Sequence, residues 1–260
     1  MRALAEALRF FSVIPLPGKP SKRASLVLVA YPWAGLILGC IVAGLGWASG
    51  WLFGSLGMAV VMLTTRILIT GALHLDGLAD LADGMGADNK ERRLAVMADS
   101  RLGTFGALAL LFVFAWQALL ISELISGRGN FHDGAHAPPE LTQFYPLLLA
   151  PVLSRGLLAL PIRCFHSARP GGMGNRIRSS ATWPAVLASL SATLLLAFLF
   201  YAAIGLGITL LVAGGMMLAA FGVSRRLGGL TGDVYGALIE LGELMLFLAL
   251  LLAERVGLTP

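Results

Sequence analysis

The sequence predicts an all-α fold, a polytopic integral membrane helical bundle forming a single domain over residues 1–260. Three observations carry this reading. Hydrophobic residues make up 57% of the chain and charged residues only 13%, about half the charged share with which a soluble domain covers its surface. The mean hydropathy is +0.83. Apolar runs of about 20 residues, the length that crosses a bilayer core, recur along the chain.

Residues 1–14 (MRALAEALRFFSVI) read as a short amphipathic helix, closed by Pro15, Pro17 and Gly18 and suited to an interfacial anchor. Glu6 and Arg9 interrupt its apolar stretch, so it does not read as a cleavable signal. Seven spanning helices follow, near 26–49, 55–82, 104–126, 141–164, 183–203, 207–223 and 234–253. The second is longer than a bilayer needs, so its C-terminal end is expected to project into or beyond the headgroups. The fifth and sixth are joined by the very short segment Ile204-Gly205-Leu206-Gly207. Small residues such as Gly35, Gly39, Gly214 and Gly215 recur along the helices, as close packing in lipid requires.

Charge sets the expected orientation. Of 19 lysines and arginines, fifteen fall in segments on the side of the N-terminus. Arg128 and Arg255 fall on the other side, and Arg66 and Arg155 lie within spans. Lysine and arginine favour the cytoplasmic face, so the N-terminus and the unusual loops are expected in the cytoplasm of a bacterial inner membrane. The net charge of +5 is split among several short loops, with no basic stripe for nucleic acid. Cys40 and Cys164 form neither a disulfide framework nor a metal motif.

The chemistry is concentrated in His74-Leu75-Asp76-Gly77-Leu78-Ala79-Asp80-Leu81-Ala82-Asp83-Gly84. At about 100° per residue, Asp80 sits about 40° from Asp76, and Asp83 about 20° away on the other side. Three carboxylates thus share one stripe, where they repel one another and are costly near lipid. A cation must offset them. Oxygen-only donors point to Mg²⁺ or Mn²⁺. Gly77 and Gly84 share a second stripe, open to the close approach of another helix or of substrate. His74 points away from the carboxylate stripe and reads as a core histidine.

Asp99-Ser100-Arg101-Leu102-Gly103-Thr104-Phe105-Gly106 opens the third spanning helix. Asp99 is a fourth carboxylate for the metal or simply a helix cap; Arg101 and the helix start suit a phosphate. Arg155, inside the fourth span, is expected to pair with a substrate phosphate or with the aspartates, and Arg66 is a residue of the same kind. Arg169, Gly171 and Gly172 belong to a basic, glycine-rich loop, either a phosphate cradle or a flexible connector; with no strand before it, it is not a P-loop. Asp233 starts the last helix. Glu240, seven residues on, shares its face, so one or both can reach the site.

HLDGLADLADG at 74–84, MADSRLGTFG at 97–106, LSR at 153–155, ARPGGMG at 168–174 and GGLTGDVYGA at 228–237 together resemble the cobalamin synthase (adenosylcobinamide-GDP ribazoletransferase) family. The resemblance runs the length of the chain, from FFSVIPLPG onward. It departs at Leu81, where threonine is common, and at Met173, where leucine is common; the segment 127–140 follows no family pattern. The resemblance implies transfer of the adenosylcobinamide phosphate moiety of adenosylcobinamide-GDP to α-ribazole or its 5′-phosphate. GMP is released and adenosylcobalamin or its phosphate is formed, with Mg²⁺ required. Asp76, Asp80, Asp83 and Asp99 are then expected to hold one or two Mg²⁺ ions, with Arg101 and Arg155 on the diphosphate. A homo-oligomer and a monomer are both left open. Two further readings are a different membrane phosphotransferase, such as one acting on CDP-linked lipids, and a divalent-cation transporter; the crowding of carboxylates at one end of a span disfavours transport.

Overall fold

A computed structural model gives the structure, and residues 2–19, 21, 23–126, 141–169, 178 and 181–258 are described. The helices α1 (Arg2–Phe11), α2 (Ser25–Val29), α3 (Tyr31–Ser49), α4 (Ser55–Thr70), α5 (Leu73–Met85), α6 (Lys90–Val96), α7 (Thr104–Ser126), α8 (Tyr145–Leu157), α9 (Ala159–Cys164), α10 (Trp183–Leu227) and α11 (Gly232–Arg255) follow one another in the chain. The described residues contain no strand, only an isolated bridge between Ser167 and Leu230.

Five of these helical stretches are long and apolar enough to cross a bilayer, with α8 and α9 counted together, and six if α4 and α5 form one broken span. α10 is two helices. Its 45 residues are interrupted by non-helical backbone at Tyr201 and Ala202, and a continuous helix of that length would reach about 67 Å, twice a bilayer core. Gly205 lies against the Ala197 carbonyl, although eight residues of straight helix would separate the two by about 12 Å. The chain therefore doubles back, and among the described residues the count rises to six crossings, or seven if α4 and α5 form one broken span. The reversal falls at 201–202, just ahead of the expected glycine segment.

The second span does not run straight. Gly71 and Ala72 both adopt left-handed backbone, ending α4, and α5 leaves at 90°. Gly71 adopts this conformation without a Cβ clash. The aspartate segment thus leaves the line of α4, which a continuous helix would have kept.

Close packing depends on the small residues. A Cβ at Gly35 would enter the Pro151 carbonyl, and one at Gly39 would sit 3.1 Å from the Leu147 carbonyl, so α3 and α8 meet nearly backbone to backbone. Gly215 lies against Met245, whereas Gly214 faces open space. α1 is more than an interfacial anchor: Ala7, Leu8 and Phe11 are buried. The Phe11 ring meets Tyr31 edge-on at 4.7 Å and His74 at 6.0 Å.

The ends of the bundle are defined by its hydrogen bonds. At one end, Leu230 N–H donates to the His166 carbonyl at 2.8 Å and Ala168 N–H to the Leu230 carbonyl at 2.9 Å. There also Arg169 donates to the Leu94 carbonyl at 3.1 Å. At the other end Ser126 donates to Ser55 at 2.7 Å, and Arg255 pairs with Glu123 at 3.2 Å.

Candidate active site

The site forms where α5 crosses α11. A Cβ on Gly77 would lie 2.5 Å from the Asp233 carbonyl oxygen, and one on Gly236 would lie 3.1 Å from the His74 Cα. Position 77 meets 233 and position 74 meets 236, so the two helices run antiparallel through the contact. Glycine on both sides allows this distance, and the crossing brings Asp233 to the α5 carboxylates. The close approach expected at Gly77 is made by α11; at Gly84 the neighbour is Met97.

Asp76 and Asp233 line one cavity of about 260 Å³ together with Arg169, Ser167, Thr231 and His74. Asp76, Asp83 and Asp233 all lie close enough to Asp80 to oppose its charge, and Arg169 close enough to favour it. Arg169 reaches Asp233 at 4.0 Å, with both side chains part-exposed. The structure thus brings Asp76, Asp80, Asp83, Arg169 and Asp233 to one end of the bundle.

Asp83 has a second role. One of its oxygens accepts the Gly103 N–H and the other the Gly106 N–H, each at 2.8 Å. It therefore caps the start of α7, where four backbone N–H groups lack helical partners and a carboxylate is favoured. Both glycines are needed there, because a Cβ at either would strike the Asp83 carboxylate. Asp83→Asn keeps one acceptor and turns an amide NH₂ toward the remaining N–H. It is expected to weaken the α7 start by about 1–2 kcal/mol, read as faster amide hydrogen exchange at residues 103–106 with the rest of the bundle unchanged.

Asp99 is held elsewhere. Its carboxylate pairs with Arg101 at 2.6 Å, and the Arg101 side chain is 87% exposed. The guanidinium and backbone N–H of Arg101 hold the Asp99 carboxyl down to about 2. In place of the expected fourth metal ligand, the structure shows a short-range ion pair at the rim. Two residues of separation let this pair close on itself, and exposed pairs of this kind contribute little to stability.

Arg155 is also placed away from the aspartates. It is 1% exposed and donates to Glu243 at 2.7 Å and to Ser154 at 3.0 Å. Arg66 pairs with Glu243 and, at 2.9 Å, with Glu240, and donates to Gln117 at 2.6 Å. Two arginines and two glutamates from α4, α8 and α11 thus neutralise one another inside the bundle. Glu240 lies about 12 Å along α11 from its start, which separates this network from Asp233. The phosphate partner expected for Arg155 is replaced by Glu243, and Glu240 turns to Arg66. The sequence signal for this pairing was available: two arginines and two glutamates inside spans must find partners in lipid. Gly171 and Gly172 lie outside the described residues.

Among the described residues, no three His, Cys, Asp or Glu converge as a closed metal-binding group. The donor chemistry still suits a hard divalent cation. Asp76, Asp80 and Asp233 offer oxygen ligands alone and repel one another, and among the described residues the part-exposed Arg169 faces them.

Fold and site together define a multi-pass membrane protein with a carboxylate cluster beside a small cavity at one end of its bundle. The chain belongs to the cobalamin-5-phosphate synthase family, whose profile matches residues 3–251. It is 38% identical to an adenosylcobinamide-GDP ribazoletransferase of Roseiflexus sp., covering 98% of this chain and 91% of the relative. A protein of the same name from Herpetosiphon aurantiacus is 36% identical, with 97% of each chain covered. One from Klebsiella pneumoniae is 34% identical, covering 96% of this chain and all of the relative (100%). No solved structure matches.

Proposed function

We propose that this protein transfers the adenosylcobinamide phosphate moiety of adenosylcobinamide-GDP to α-ribazole or α-ribazole 5′-phosphate. An oxygen–phosphorus bond forms from the acceptor hydroxyl to the phosphorus joined to cobinamide. The bond from that phosphorus to the GMP oxygen breaks, GMP leaves with the electron pair, and the hydroxyl proton passes to solvent. The observation that carries the reading is the gathering of Asp76, Asp80 and Asp233 with Arg169 at one end of the bundle, where Asp76, Asp233 and Arg169 line a cavity, in a chain whose relatives over most of its length bear the transferase name.

Mg²⁺ would be held by Asp76 and Asp80 with Asp233, and would supply charge stabilisation and orientation to a diphosphate in displacement. The chain's own groups do the rest. Asp83 fixes the start of α7 against α5, keeping the carboxylate helix in place. Arg169, tethered to the Leu94 carbonyl, presents positive charge to a phosphate from the loop side. Arg101, most of whose side chain is in solvent, is available to an incoming anion at the rim once Asp99 releases it.

The deciding experiment supplies purified protein with adenosylcobinamide-GDP and α-ribazole, with and without Mg²⁺, and follows GMP release. GMP and adenosylcobalamin in equal amounts, lost on chelation, are expected. No turnover of the cobinamide substrate, with incorporation of a polar alcohol into lipid, would favour the lipid phosphotransferase.

We also place the N-terminus and the site in the cytoplasm of a bacterial inner membrane. Supporting this, Lys90, Arg93, Arg169 and Arg226 gather at the aspartate end of the bundle, in keeping with the basic bias of cytoplasmic loops. Cys164 is exposed at that same end. A membrane-impermeant maleimide is therefore expected to label it in inverted vesicles and to leave it unlabelled in right-side-out spheroplasts; the reverse pattern would invert the topology.

A further inference from the structure

The cavity beside the aspartates has an inner end that the phosphoryl chemistry does not use. The antiparallel crossing of α5 and α11 sets its polarity. Asp76, Thr231 and Asp233 lie at the outer end; His74, Tyr235, Gly236 and Ile239 lie successively deeper along the two helices. Phe10 from α1, Leu73 and Leu158 complete an apolar wall. Two of its lining residues each carry a buried polar atom that has no hydrogen-bond partner among the described residues, His74 Nε2 and the Tyr235 hydroxyl. Their residues are 4% and 2% exposed. Leaving such a group unsatisfied costs about 1–3 kcal/mol, so two of them around one cavity point to a ligand that supplies the missing partners.

We infer that this cavity is the seat of the acceptor nucleoside. Its base would lie among Phe10, Leu73, Leu158 and Ile239, its sugar hydroxyls on His74 Nε2 and the Tyr235 hydroxyl, and its reacting hydroxyl toward Asp76 and Asp233. Size separates the acceptor from the donor: about 260 Å³ falls just below the usual span of ligand pockets, about 300 to 1,000 Å³. A nucleoside is of that order, whereas a corrin macrocycle bearing a second nucleoside far exceeds it. Chemistry separates base from phosphate, since the inner wall is apolar and Arg169 stands at the mouth. His74 and Tyr235 are positioning residues here, acting on the acceptor's placement. The inference rests on the proposed transferase activity for the identity of its ligand.

The test uses the full-length protein, with α-ribazole as probe. The Michaelis constants for α-ribazole and for adenosylcobinamide-GDP are measured in wild type, Tyr235→Phe, His74→Ala, His74→Gln and Ile239→Phe. Tyr235→Phe and His74→Ala are each expected to raise KM for α-ribazole about tenfold, the loss of roughly one buried hydrogen bond. KM for adenosylcobinamide-GDP should stay within about twofold on the same scale. His74→Gln, whose amide can reach the Nε2 position, should recover most of the loss. Ile239→Phe, which fills the apolar end and adds no polar group, should weaken α-ribazole in the same selective way. An unchanged KM for α-ribazole, or a rise shared equally by both substrates, would overturn the assignment. Should wild type release no GMP at all, the transferase reading is what fails. Equilibrium binding then decides the cavity: α-ribazole bound by wild type and lost in Tyr235→Phe and Ile239→Phe upholds it, and no binding to wild type ends it.

Discussion

Replacing Glu243 with Gln is expected to destabilise the bundle by about 3–5 kcal/mol, the cost of removing one partner from a buried ion pair. Glu243 serves two arginines at once, accepting from Arg66 and, at 2.7 Å, from Arg155, and it is 1% exposed. With a neutral side chain there, Glu240 is the one carboxylate left in this network, among the described residues, to balance both cations. Neither arginine can reach water without a helix moving. A loss of that size is a large part of a typical total stability. Thermal unfolding in detergent, with the fraction of monodisperse protein, measures it. Because the damage is the stranded charge, the double variant Glu243→Gln with Arg155→Met should be more stable than Glu243→Gln alone. Equal stability of the two would show that Glu243 acts through packing and leave charge balance without a role. By contrast, Arg101→Ala breaks a pair whose arginine side chain is 87% exposed and should leave stability nearly unchanged.

The largest catalytic effect is expected at Asp80. Its charge is opposed by Asp76, Asp83 and Asp233 and favoured by Arg169. Among the described residues it therefore stands at the centre of the cluster. Asp80→Asn removes one of the charges proposed to hold Mg²⁺, an interaction on the order of several kcal/mol in the transition state. Turnover should fall by about a hundredfold to a thousandfold, while the melting temperature holds or rises slightly as repulsion is relieved. Raising Mg²⁺ should recover part of the rate. Full activity at the original Mg²⁺ requirement would remove Asp80 from the metal site. Paired with Asp83→Asn, the experiment separates two roles on one stripe, because the Asp83 change should also alter hydrogen exchange at the start of α7.

How far the sequence led can be followed residue by residue. Composition and the length of the apolar runs made the helical membrane fold legible, since a bilayer admits few ways to satisfy backbone groups. Helical periodicity placed Asp76, Asp80 and Asp83 on one stripe, and Gly77 as the point of close approach; α5 is indeed helical over all three aspartates. The amphipathic pattern marks the N-terminal helix but does not distinguish lipid from protein as its apolar partner. In the structure Phe11 packs against Tyr31 and His74.

Local features are thus legible in the chain: which segments are helical and apolar, which carboxylates share a face, and where small residues permit contact. These follow from fixed rise and rotation per residue, which any reader of the chain can compute. The 90° turn of α5 away from α4, the approach of Asp233 to the aspartates through Gly77 and the pairing of Arg155 with Glu243, 88 residues away, emerge only from the folded arrangement. Pairings across such separations depend on how whole helices pack and cross, and each charge in a span has several chemically equivalent partners. Choice among them is made by the three-dimensional arrangement that leaves the fewest charges stranded in an apolar medium.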